Sequence, residues 1–282
     1  METRGAGSPL PVLMVGNPQR REFREAAETI GRTADLRIAA TLADGETLLA
    51  EGGFTPAVLV LAQAYPGQFA ADGVDRLRSL APLARVVGLL GSWCEGEMRT
   101  GFPWPAAIRL YWHQWEPRWE NEMRRLRAGV ASSWALPVTA SEEERGLCQA
   151  ECRAAAPPRY GGGLVVVAAA GLEMYELLAA ACRYRGLATA RIRPDRCAAS
   201  LAFDGAAAAL FDASDFSSSE EAVLGRLTEC LRPAPALVLL DFPRVEDGDR
   251  ARAAGAAAIL SKPFSLDELD WHLDRLLSVS AR

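Results

Sequence analysis

This 282-residue chain has no long apolar run, little net charge, two histidines and six cysteines. Each shortage excludes something. The longest apolar stretch, Leu164 to Leu172, falls well short of the ~18–20 residues that span a bilayer, so no membrane helix is expected. Met1 to Pro9 is short and rich in Gly and Pro, and it leads through Leu10–Val15 into a polar helix rather than a cleavage site, so a cytoplasmic protein is expected. A net charge of −5 from 31 basic and 36 acidic residues gives no footprint for nucleic acid or an anionic membrane. The basic runs Arg20-Arg21 and Arg124-Arg125-Leu126-Arg127 fall where helices are expected and read as solvated faces. Cys94, Cys148, Cys152, Cys182, Cys197 and Cys230 are too dispersed for a disulfide scaffold. Cys148 and Cys152 share a helix face, but with no neighbouring histidine or second cysteine pair no metal is expected. G-x-S-x-G, a phosphate-cradling glycine loop and zinc-type spacing are all missing.

What the sequence does contain is alternation. Pro11–Val15 is apolar without amphipathic period, as in a parallel strand buried on both faces. Asn17 and Pro18 then read as the cap and first residue of a helix in which Phe23, Ala26, Ala27 and Ile30 form a core stripe. Strands follow at Leu36–Thr41, Ala57–Ala62, Arg85–Leu90 and Ile108–Trp112, with helices at Leu42–Glu51, Gly73–Leu80 and Pro117–Leu126. Five strands alternating with helices argue for a doubly wound α/β sheet, whose sites lie at the carboxyl ends of the strands. The pattern then breaks. Ser141 to Glu144 reads as a capping box opening a helix to about Ala156, which Pro157-Pro158 and Gly161-Gly162-Gly163 end as a hinge.

Alternation restarts with strands at Leu164–Ala168, Ala188–Ile192, Ala206–Phe211, Leu237–Leu240 and Ala257–Leu260. Helices are expected at Glu173–Arg185, Ser219–Leu231 and Asp247–Ala254, and a last one opens from Ser265-Leu266-Asp267-Glu268. The expected organisation is a first domain over 9–130, a helical linker over 131–162 and a second domain over 163–280.

The most specific stretch is Gly255-Ala256-Ala257-Ala258-Ile259-Leu260-Ser261-Lys262-Pro263-Phe264, followed by the capped helix from Ser265. It resembles the end of a receiver domain of the two-component response-regulator family, whose phosphorelay role and CheY-like, flavodoxin-like fold are what the resemblance implies. On that resemblance Asp212 stands where the family carries its phospho-accepting aspartate, and Lys262 where it carries the lysine that pairs with the phosphoryl group. The family's metal-binding acidic pair is replaced by Ala168 and Ala169, and its hydroxyl residue by Asp241. Mg²⁺ wants several hard oxygen ligands, so no cofactor and little phosphotransfer are expected. An alternative alignment with Asp241 as acceptor leaves no room for a fourth strand and helix before Lys262.

The strand ends Asn17, Ala62, Gly91 and His113 are spaced by 45, 29 and 22 residues, and Ala169, Asp212, Asp241 and Lys262 by 43, 29 and 21. Two such ladders suggest a tandem repeat. In the first copy Gly16 and Asn17, Ala62, Gly91, His113 and Gln114 occupy the positions of the family's functional residues, so it reads as a pseudo-receiver.

Arg85 to Trp119 holds five of the seven tryptophans. Trp93, Trp104, Trp112, Trp115 and Trp119 are candidates for binding a protein partner or a second copy, since tryptophan commonly anchors interfaces. The bland reading is a local core beneath a long loop. A third reading makes Cys94 and His113 a nucleophile and base, oriented by Glu95 or Glu97, in a hydrolase or small-molecule-binding crevice. His272 is expected on a partly exposed helix face. The sequence as a whole reads as a non-enzymatic signalling protein of two degenerate receiver-like domains.

Overall fold

The computed structural model describes residues 9–105, 107–130, 132–137, 139–154, 160, 162–194 and 205–280. Cys197, the Cys152 side chain and the hinge residues Pro157, Pro158 and Gly161 lie outside them. The chain divides into two compact units, residues 9–122 with 132–145, and residues 123–131 with 146–280.

The first unit carries β1 (Pro11–Val15), β2 (Asp35–Ala39), β3 (Val58–Gln63), β4 (Arg85–Leu90) and β5 (Ile108–Tyr111), all parallel in the order β2-β1-β3-β4-β5. Its helices are α1 (Arg21–Thr33), α2 (Leu42–Ala50), α3 (Ala71–Leu80) and the short α4 (Glu97–Thr100), and α5 (Trp115–Ala128) begins in it. Every residue of β3 is buried, whereas β2 at the sheet edge is mostly not, which is why central strands read as unbroken apolar runs. Leu13, Val15, Leu59 and Leu61 face Val74 and Leu77 of α3 on one side of the sheet. Phe23, Ala26 and Ile30 are the buried stripe of α1.

α1 opens at Arg21 rather than at Pro18. Asn17 Oδ1 accepts from the Gln19 amide at 2.9 Å, closing a local turn that delays the helix, and Arg20 becomes the N-cap. α2 is opened by a reciprocal box, in which Thr41 Oγ1 accepts from Asp44 N and Asp44 Oδ2 from Thr41 N. α6 (Glu142–Ala154) follows the box at Ser141 and Glu144 foreseen in the sequence.

The second unit repeats the plan with β6 (Leu164–Ala168), β7 (Ala188–Ile192), β8 (Ala206–Asp212), β9 (Ala236–Asp241) and β10 (Ala256–Lys262), all parallel in the order β10-β9-β8-β6-β7. Leu178 and Cys182 of α7 (Leu172–Tyr184) pack on one face with Leu269, Leu273 and Leu276 of α10 (Leu266–Ser280). Leu224 and Leu227 of α8 (Ser218–Cys230) and Ala251 of α9 (Val245–Ala253) cover the other. Each unit is therefore a five-stranded doubly wound sheet, with the strand order 2-1-3-4-5 of flavodoxin-like folds and a crevice where its first and third strands part. No described helix is long and apolar enough to cross a membrane.

Candidate functional site

In the second unit three strand ends converge. β8 closes on Asp212, β9 on Asp241 and β10 on Lys262, and the β9–β10 register pairs Lys262 with Asp241. Lys262 Nζ donates to Asp212 Oδ1 at 2.8 Å and to the Ala213 carbonyl at 2.6 Å, and lies 3.2 Å from Asp241 Oδ1. An ammonium has three N–H groups, and here three oxygens surround it. The Lys262 and Asp212 side chains are each 14% exposed and that of Asp241 is half open, so the pair sits at the floor of the crevice with Asp241 at its rim. Lys262 is also the chain's only lysine, against 30 arginines, a signal that sequence reasoning passed over. A compact point charge suits a three-oxygen nest better than the long guanidinium fork.

Ala168, the last residue of β6, and Ala169, which follows it, are buried and offer no ligand. The divalent metal that the family resemblance implies does not fit this donor set. Two carboxylates face the crevice, a cation already lies between them, and hard divalent ions want six or more oxygens. Among the described residues no group of three or more His, Cys, Asp or Glu could hold a metal ion.

The second unit also buries a charged cluster that the sequence did not flag. Arg185, at the end of α7, pairs with Asp274 and lies 3.6 Å from Asp270 on α10, while Tyr160 donates its hydroxyl to Asp274 and stacks under the guanidinium. Burial, followed by the Asp274 carboxylate, holds the Tyr160 phenol well above its usual range. Gly186 permits the arrangement, because at φ +80° a Cβ there would stand 2.6 Å from the Tyr160 carbonyl.

In the first unit the strand ends carry no such triad. Its chemistry-bearing residues form a buried polar network instead. Gln63 Nε2 donates to Glu97 Oε1 at 3.0 Å, Arg109 Nη2 donates to Glu97 Oε2, and the Cys94 thiol donates to the Gln63 carbonyl at 3.5 Å. Cys94 is fully buried, and burial pushes its pKa up to about 11, the reverse of what a nucleophile needs. Neither ring nitrogen of His113 has a hydrogen-bond partner among the described residues, so Cys94 and His113 do not form a nucleophile–base pair. Burial alone drives His113 down to about 3, and its ring stacks on Tyr111 with centroids 5.8 Å apart. Glu97 is tied to Gln63 and Arg109, and the Glu95 carbonyl accepts from the Tyr111 hydroxyl at 3.4 Å. The hydrolase arrangement is not what these residues build.

The tryptophans also need correction. Trp104, Trp115 and Trp119 are buried at 6%, 1% and 0% exposure, which leaves them no surface to offer a partner. Trp115 and Trp119 stack at 5.4 Å, and Trp134, outside the aromatic stretch, closes the cluster at 6.5 and 6.1 Å. Trp119 Nε1 donates to Thr33 Oγ1 of α1 at 2.9 Å. Trp104 donates to the Phe69 carbonyl and lies over Gly88, where a Cβ would come within 3.3 Å of the indole. Only Trp93, 74% exposed, stands fully on the surface, with Met98 and Phe102 exposed nearby in the chain. Trp112 is half-buried, its indole N–H donating to Ser92 Oγ at 3.1 Å. His272, expected at the surface, is buried against Trp271, and burial followed by the Arg275 charge lowers it to about 3.

No protein-family model and no curated protein matches the chain. Solved structures do. NtrX from Brucella abortus, solved with ADP, matches at 19% identity and a TM-score of 0.38, covering 43% of this chain and 27% of NtrX, so the match spans about a quarter of that protein. The receiver domain of a signal transduction histidine kinase from Syntrophus aciditrophicus matches at 22% identity and 0.38, covering 43% of this chain and 93% of that domain. The chemotaxis protein CheY4 of Vibrio cholerae matches at 17% and 0.37, covering 42% and 100%. In fold, the chain is similar to response-regulator receiver domains.

Proposed function

We propose that this is a signal-transduction protein similar to a response regulator, which acts through protein–protein contact and carries out no efficient phosphotransfer in either unit. The observation that carries the reading is the triad in the second unit. Asp212 and Lys262 end β8 and β10, the strands on either side of β9, with Lys262 Nζ 2.8 Å from Asp212 Oδ1, but Asp241 fills the rim with a second carboxylate and Ala168 and Ala169 supply no metal ligand. A phosphoryl group arriving at Asp212 would meet the Asp241 charge without a divalent ion to neutralise it. The first unit offers no carboxylate at the corresponding ends of β3 and β4, which close on Gln63 and Leu90. Output then rests on surfaces, and the exposed Trp93 is the residue of the aromatic stretch that supports a contact role. The partner is a protein or a second copy of the chain.

The test is incubation of the full chain with acetyl phosphate and Mg²⁺, read by intact mass. No adduct is expected. A phosphoryl adduct that disappears in Asp212→Asn would overturn the reading.

A further inference from the structure

We infer that Glu22 is an internal latch, its carboxylate reaching from α1 to the end of β4 to close the first unit's crevice and fix the segment that displays Trp93. Doubly wound sheets take their ligands outside the carboxyl ends of the strands, where the strand order reverses. In the first unit this region is bounded by the residues that follow β1, β3 and β4. Glu22 stands at the second position of α1, with its side chain 11% exposed. Glu22 Oε1 accepts from the Ser92 amide at 2.7 Å, a contact spanning 70 residues of chain. Charge-assisted bonds of this kind are about twice as strong as neutral ones.

Gly91 makes the approach possible. A Cβ there would lie 2.9 Å from Glu22 Oε2 and 3.0 Å from the Ala64 carbonyl, so any side chain at 91 would push the carboxylate out. Ser92 is also held from its other side, its hydroxyl oxygen accepting from Trp112 Nε1 at 3.1 Å. Arg20, with Nη2 3.8 Å from Oε2, offsets part of the charge. The latch therefore joins α1, the end of β4 and the residue that follows β5, and Trp93 is the next residue after the amide it holds. An outside anion seeking this crevice must first displace a carboxylate already bound. This device goes beyond the signalling proposal and stands without it.

Residue-resolved amide hydrogen exchange on the full chain tests the latch, with the core amide of Met14 as internal reference. Glu22→Ala and Gly91→Ala break the same contact from opposite sides. Each is expected to speed exchange at Ser92 by about tenfold or more relative to Met14, and the double variant to go no further than either single one. Glu25→Ala, which changes an exposed carboxylate on the same helix, should leave Ser92 as it is. Should Glu22→Ala fail to fold, Glu22→Gln keeps the shape, loses the charge and must still loosen Ser92 more than Met14. The latch is overturned by unchanged Ser92 exchange in the Glu22 variant that folds, by additive effects of the two single changes, or by an equal response in Glu25→Ala.

Discussion

At the scale of single residues, the two histidines and the single lysine show how placement decides chemistry. Lys262 Nζ is surrounded by three oxygens that stand where water would otherwise solvate it. His113 lies against Tyr111 and Trp112 and His272 against Trp271, and burial, with the Arg275 charge added at His272, holds both neutral, at about 3 instead of 6.5. The sign of the consequence follows from linkage. Below pH 6.5 the unfolded chain takes up protons that the folded chain refuses, so this stability is complete above pH 6.5 and drains away as pH falls towards 3. Each histidine should steepen the loss by up to about 1.4 kcal/mol per pH unit in that window. Denaturant midpoints between pH 7 and 4.5 check this, because His113→Gln and His272→Gln should each flatten the slope while carboxylate titration continues in the background. A slope unaltered by either change would show that the rings are not desolvated.

At the scale of elements, the aromatic stretch became core rather than contact surface. Residue type is silent here, since tryptophan anchors interfaces and cores with the same large flat area. What decides is periodicity against a neighbour: Trp115 and Trp119 are one helical turn apart on α5 and meet Thr33 of α1 and Trp134 from a later segment, a contact that no local pattern announces. Trp119→Ala should therefore cost about 3–5 kcal/mol, and Trp93→Ala should stay within about 0.5 kcal/mol, both read by chemical denaturation of the full chain. Equal effects would return Trp119 to the surface. The strands, by contrast, were legible from sequence alone. β3 and β6 are buried on both faces and leave unbroken apolar runs, and the capping boxes at Ser141 and Ser265 mark helix starts by short-range bonds. Where a local bond competes, legibility fails, as with Asn17, whose turn moved the start of α1 to Arg21.

At the scale of the whole molecule, one strand order occurs twice, and the two units carry different residues at their strand ends. The second carries Asp212 and Lys262, whose positions at strand ends made them readable. The first has a buried Gln63–Glu97–Arg109 network and the Glu22 contact, both assembled from residues far apart in sequence and hence invisible to spacing. Among the described residues, Lys262 is the cation held between the second unit's strand-end carboxylates Asp212 and Asp241. Because the chain has a single lysine, selective isotope labelling of lysine gives one side-chain resonance, that of Lys262. A Mg²⁺ titration followed at this resonance shows whether Lys262 holds the place a divalent ion would need. The resonance is expected to stay in place through millimolar Mg²⁺, and a saturable shift that vanishes in Asp212→Asn would contradict that occupancy.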